Sequence, residues 1–327
     1  MTRLLAVLVA VGLVVGAVVV RGGLDGSDGG GTDGAFRLRC GRDLAEVCER
    51  LAREDPDIEV SVEDEGVTAD RLAAPDARPD FDAWLTVGPW ADLVADDRRI
   101  AGATGRVLGR PGPVLAAARA AILAQADRAA VLRTHCGTAG VNWACIGDAT
   151  GRPWSEIGGS AAWGVVKPGL AAPDGGTGLV TVAQAVSSRL GTTDWAANDL
   201  DDPTVAGWFD QLVRGARQAD AEGTDPARRF LVIPASFGAV GTVEGRSTAA
   251  AGRRGAETIY PEPVSTAEVR LVPTAGRSAA SAADRIGTDR LRDALRAEGW
   301  PTGRDGGPGL PSAGALQALR TRWDEVA

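Results

Sequence analysis

Trp163-Gly164-Val165-Val166-Lys167 is followed by a Pro/Gly-rich stretch from Pro168 to Gly176, and then by Thr177-Gly178-Leu179-Val180-Thr181-Val182-Ala183 and onward to Leu190. The first run has the β-branched character of a strand, the second is a turn, and the third has the length and apolar spacing of a helix. The same order recurs on both sides. Upstream, Phe36–Arg39 reads as a strand, and Asp43 can cap a helix to Arg53 that places Leu44, Val47, Cys48 and Leu51 on one face. Ile58–Val62 alternates as a half-buried strand, Thr68–Leu72 is a short helix, and Phe81–Val87 is a strand ending at Gly88-Pro89-Trp90. Arg106–Leu108 and Val114–Ala118 read as a crossing segment that leads into an Ala-rich helix. Downstream, Trp208–Ala219 is a helix, Phe230–Ile233 a strand and Asp284–Glu298 a late helix. Strand followed by helix, repeatedly, predicts an α/β chain with largely parallel sheets.

The amino-terminal 34 residues stand apart from this pattern. Arg3 precedes seventeen unbroken apolar residues, Leu4–Val20, and Arg21 opens a Gly/Asp/Ser tract to Gly34. As a helix the apolar run rises about 25 Å, at the short end of what spans a hydrocarbon core of about 30 Å. Val15-Gly16-Ala17 offers small residues for cleavage of a leader, but the apolar run continues through Val18-Val19-Val20, which favours a retained signal anchor. No cysteine follows the run, so lipid attachment there is excluded. Arg3 and Arg21 oppose each other in setting orientation.

Cysteine usage decides the side. The four cysteines form two close pairs, Cys40 with Cys48 and Cys136 with Cys145, and an even count behind an export segment reads as disulfides. Local pairing would stabilise by about 2 to 3 kcal/mol per bridge. A zinc site needs other spacings and more than the single histidine, His135. The body, about 290 residues and enough for two cores, is therefore expected outside the cytoplasmic membrane and held to it by one helix.

Composition narrows the function classes. A net charge of −8 without a basic cluster argues against nucleic acid as partner, and Lys167 is the sole lysine. No Gly-x-Ser-x-Gly elbow is present, and one histidine in a cysteine-flanked loop makes a poor general base, so no catalytic residues are assigned. Asn198, Asp199, Asp201 and Asp202 lack the glycine and final glutamate of a calcium loop. No metal or cofactor is expected.

Several segments resemble type 2 extracellular solute-binding proteins. Cys40-Gly41-Arg42-Asp43-Leu44 after the first strand, and Phe81-Asp82-Ala83-Trp84-Leu85 leading to Trp90, are similar to the opening lobe of that family. Pro153-Trp154-Ser155-Glu156-Ile157, then Trp163–Lys167, then Leu170–Leu179 resemble its molybdate/ABC-receptor-like branch, in the membrane-anchored form of actinobacterial type. Thr242–Gly245, Ile259-Tyr260-Pro261 and Glu298-Gly299-Trp300-Pro301 continue the same order. The chain departs from the family at Gly109–Ala116, which lacks a ligand-facing serine, and at Ser265-Thr266-Ala267-Glu268, where an apolar run is usual.

The resemblance implies two lobes, each a mainly parallel sheet flanked by helices, with residues 35–110 and 255–327 in one and 111–254 in the other, after an anchor at 1–21 and a linker at 22–34. The chain should cross near Val107–Ala118 and near Val240–Tyr260. A small polar or anionic solute would bind between the lobes, delivered to a membrane permease; an envelope scaffold that keeps the fold without a transport ligand is the alternative. The expected ligand contacts are Arg42, Thr86 and Trp90 facing Gly176, Thr177, Ser236 and Phe237. Gly175–Gly178 opens a helix, where small residues let backbone N–H groups approach an anion, or else it is an ordinary turn with Thr177 as N-cap. Arg42 is either a clamp for the solute or a surface charge. Trp90, beside Pro89, is the best cleft candidate among nine tryptophans that mostly fill core.

Overall fold

The computed structural model describes residues 34–219, 225–307 and 309–326. The expected anchor at Leu4–Val20 and the linker up to Asp33 lie outside the described residues. Within the described residues no helix is long and apolar enough to cross a membrane.

Strands β1 (Phe36–Gly41), β2 (Ile58–Glu63) and β3 (Ala83–Val87) lie parallel, separated by helices α1 (Ala45–Glu54) and α2 (Glu65–Ala73). Val47, Cys48 and Leu51 turn one face of α1 into the core, as the sequence spacing requires. After α3 (Trp90–Ile100) comes β4 (Ala116–Gln125), the strand that joins the two lobes. Its first half, Ala116–Arg119, pairs antiparallel with the late strand β8, and β8 pairs with β3. Its second half belongs to another sheet, with Ala120–Leu123 against Val243–Val240 and Ile122–Gln125 against Ile259–Ala256.

Helices α4 (Ala126–Cys136) and α5 (Trp143–Ala149) precede the two-residue strand β5 (Pro168–Gly169). Then follow α6 (Gly176–Leu190), α7 (Pro203–Ala219), α8 (Pro226–Val232), β6 (Ala239–Val243), α9 (Arg246–Gly252), β7 (Ala256–Ile259) and β8 (Thr266–Pro273). The chain ends with α10 (Ala279–Ile286), α11 (Thr288–Ala297) and α12 (Ala313–Glu325). The first sheet is thus mainly parallel. The second is not, because β6 and β7 both run antiparallel to β4 and only β5 pairs parallel with β6.

Four local expectations are corrected. The Ala-rich segment after Ala118 is not yet helix but the continuation of β4. Ala116, Ala117, Ala118, Ala120, Ala121 and Ala124 are buried on both faces of a central strand, where small side chains let layers close in and packing overrides alanine's helix propensity. Phe230–Ile233 is not a strand but falls at the end of α8, because Asp225 accepts from the Ala227 N–H at 2.9 Å and Pro226 occupies the first turn. Trp163–Lys167 starts from the end of a 3-10 turn and contributes only a bridge from Val165 to Pro153. The late helix Asp284–Glu298 is two helices, α10 and α11, broken at Gly287, whose φ of 89° suits glycine best.

Both expected disulfides are present, Cys40–Cys48 and Cys136–Cys145, with Cα separations of 6.6 and 5.7 Å. The first ties β1 to the first turn of α1. The tryptophans do fill core: Trp84, Trp90, Trp143 and Trp154 are all buried. Helix α12 contributes Leu316, Leu319 and Trp323 to one apolar cluster that holds Trp84, Trp90 and Leu93 beside the first sheet, and Leu179, Val182 and Leu212 beside the second.

Candidate functional site

Parallel pairing sets the carboxyl ends of β1, β2 and β3 along one edge, with Gly41 opposite Glu63 in the register. In open α/β sheets this edge is where loops converge and ligands bind. Opposite it stands the amino terminus of α6, a fifteen-residue helix packed on α5 and β6, whose first backbone N–H groups have no partner within the helix.

The two sides meet through acidic side chains. Asp43, in the 3-10 turn Arg42–Leu44, does not cap α1; its Oδ2 accepts the Thr177 N–H at 2.6 Å, across to α6. Thr177 is correspondingly not the N-cap of α6, a position held by Gly175. Asp43 keeps solvent contact while protein surrounds it, and this burial raises its pKa, with Asp225 and Asp64 adding repulsion against the pull of Thr177.

Glu65, at the start of α2, is fully buried. Its carboxyl lies among the backbone amides of Glu65, Gly176 and Val87, and none of them forms a well-aligned hydrogen bond to either oxygen. Desolvation, with the neighbouring Asp43 charge, holds its pKa well above the ordinary carboxylate value. Glycine makes the place for it. A Cβ on Gly41 would collide with Glu65 Oε1, and one on Gly176 would stand 2.5 Å from Val87 Cβ and 2.9 Å from Glu65 Oε1.

Next to this point the Gly66 N–H donates to the Asp174 carbonyl at 2.7 Å. Arg320 of α12, 6% exposed, donates to Asp70 Oδ1 and Oδ2 at 3.0 and 3.2 Å and to Asp174 Oδ1 at 3.2 Å, with its guanidinium 5.2 Å from the Trp90 ring centroid. Burial opposes its charge, but the two carboxylates outweigh it and raise its pKa.

Of the expected contacts, Gly176 and Thr177 sit at the seam between the lobes. Arg42 reaches the same region, exposed and bonded to Asp64 at 2.6 and 3.0 Å. Thr86 is buried on β3 with its hydroxyl unpartnered, and Trp90 is buried beneath Arg320. Ser236 and Phe237 precede Ala239, at the end of β6 remote from the first sheet, and the seam does not include them. Phe237 packs against Phe230 and Leu123 in core.

Asp43, Glu65, Asp174 and Arg320 are the seam residues that sequence reading missed. Asp64-Glu65-Gly66 directly after a parallel strand was the available signal; nothing local marks Arg320. Among the described residues no group of three or more His, Cys, Asp or Glu is placed to hold a metal ion. A separate cavity of about 330 Å³ lies at the far end of the second sheet, lined by Gln125, Asp127, Leu231, Pro234 and Arg254.

No family model matches the chain, and no curated protein is similar to it in sequence. Solved structures are similar in fold. One is the periplasmic binding protein AfuA from Actinobacillus pleuropneumoniae with fructose-6-phosphate bound, with a TM-score of 0.53 at 12% identity over 90% of this chain and 97% of that one. Another is iron-bound HitA from Pseudomonas aeruginosa, with a TM-score of 0.53 at 11% identity over 89% and 99% of the two chains. This is the two-lobed periplasmic-binding-protein fold. The likeness spans both lobes. At these identities it establishes architecture, and the chemistry must come from the seam itself.

Proposed function

We propose that the protein is a solute-binding protein of the extracytoplasmic face, taking a small polar or anionic solute between its lobes and presenting it to an ABC-type permease. The observation that carries this reading is the meeting of the α6 amino terminus with the carboxyl edge of the first sheet, in a fold whose lobes are joined through β4. The solved structures similar in fold, one with fructose-6-phosphate and one with iron bound, support small-solute binding by this fold. The two disulfides and the apolar run at Leu4–Val20 support a body held outside the membrane by an amino-terminal anchor. Residues 35–110 and 255–327 then form mainly one lobe and 111–254 the other, except that β7 pairs with the second half of β4. The likeness in fold to a periplasmic binding protein supports binding rather than catalysis. The order of segments from Pro153 to Leu179 supports a place in the molybdate-receptor-like branch.

A thermal-shift screen of the full-length chain in detergent against oxyanions, sugars, amino acids and peptides tests the reading. One class should raise Tm in a saturable way. A second reading, an envelope scaffold, is favoured by the direct ties across the seam, Asp43 to Thr177 and Gly66 to Asp174; no shift with any solute class, together with a protein partner retained through these lobes, would support it instead.

A further inference from the structure

Gly41, Val87 and Gly176 come together at the seam, and the buried Glu65 carboxyl fills the space that the two glycines leave. We propose that Glu65 is a resident internal ligand: it fills the acid-accepting part of the interlobe seat, and a solute bearing a carboxylate or another oxyanion binds by displacing it. The inference rests on the solute-binding reading and names the chemistry of that same site.

Three observations carry it. Gly41 and Gly176, on opposite sides, both lack the side chain that would exclude the Glu65 carboxyl, so the room is shaped for that group. Both carboxyl oxygens are fully buried without an aligned donor, a poor arrangement for a purely structural residue, since an apolar side chain of similar size would avoid the desolvation cost. The adjacent α6 N–H of Thr177 is already taken by Asp43, so the protein's own acids, rather than solvent, face the positive end of the helix.

The surroundings set the charge that the Glu65 carboxyl meets. Asp43 follows β1, Asp64 precedes Glu65 on its own segment, and Asp174 approaches from the loop before α6. Asp225 at the start of α8 adds to the negative field at Asp43. Against these stand Arg42, bonded to Asp64, and Arg320, bonded to Asp70 and Asp174. Glu65 is therefore held by shape and by helix-end dipoles, with no cation of its own.

The test compares the full-length chain with Glu65→Ala and Glu65→Gln, titrated calorimetrically with acetate and with inorganic phosphate. Glu65→Ala removes the equivalent of an acetic acid molecule and should bind acetate or phosphate at least about tenfold more tightly than wild type, with a Tm that rises as either is added. Glu65→Gln keeps the shape and should behave as wild type. A folded Glu65→Ala that gains no affinity for either anion overturns the proposal, as does a wild type that binds them as tightly as the variant. Neither result touches the solute-binding reading, which is judged by the wild-type screen. If Glu65→Ala does not fold in plain buffer, recovery of folded protein on refolding with acetate or phosphate supports the proposal, and failure of both to rescue it counts against it.

Discussion

Glu65 combines a carboxyl with complete burial, so its proton is bound more tightly in the folded chain than in the unfolded one. From the unfolded value, about 4, up to the raised folded value, each rise in pH removes stability, and above the folded value the loss is complete. Asp43 shifts in the same sense, whereas Asp55 and Glu244, whose pKa values are lowered beside arginines, act in the opposite one. The comparison with Glu65→Gln isolates the buried acid. In thermal denaturation across pH, the glutamine variant should gain on wild type as pH rises from about 4 to neutrality and beyond. A difference that shrinks with pH would mean that the ionised form is the favoured one in the fold. Arg320→Ala should cost about 1 to 3 kcal/mol in denaturant unfolding, because the charged hydrogen bonds to Asp70 and Asp174 are lost while those half-exposed carboxylates regain water.

At the scale of elements, the two bridges and the start of α6 are separate devices. Cys40–Cys48 closes a short loop between β1 and α1, so replacing both cysteines by serine should cost about 2 to 3 kcal/mol. Thiol titration of the oxidised, denatured wild type should find no free groups, matching the absence of free cysteine among the described residues. Gly176→Ala should destabilise by about 1 to 3 kcal/mol, since the new methyl meets Val87 on the facing strand rather than open solvent. A variant as stable as wild type in denaturant melts would show that the seam can open at this point without loss. Two of the elements that sequence patterning misassigned were decided by influences other than apolar spacing. In the second half of β4, and at Phe230–Ile233, the deciding influences were burial on two faces and a capping aspartate, which local apolar spacing does not report.

For the whole molecule, α12 adds to β4 and the direct ties across the seam, placing Leu316, Leu319 and Trp323 in the shared apolar cluster and Arg320 on Asp70 and Asp174. The expected location is tested on intact spheroplasts: added protease should degrade the body, and full protection would place it on the other side of the membrane.

Read alone, the chain was enough to establish the α/β class, the two local disulfides, the tryptophan-filled core and a helix start within Gly175–Gly178. These follow from spacing of a few residues, where backbone periodicity and short loops leave few alternatives. Only the tertiary structure decided what faces that helix start. Asp43 and Glu65 come from one sheet edge, Gly176 and Thr177 from a helix more than a hundred positions later, and Arg320 from the final helix. Whether an acidic residue caps its own helix or reaches across to another depends on which backbone N–H groups folding brings within hydrogen-bond distance, and no local pattern carries that information.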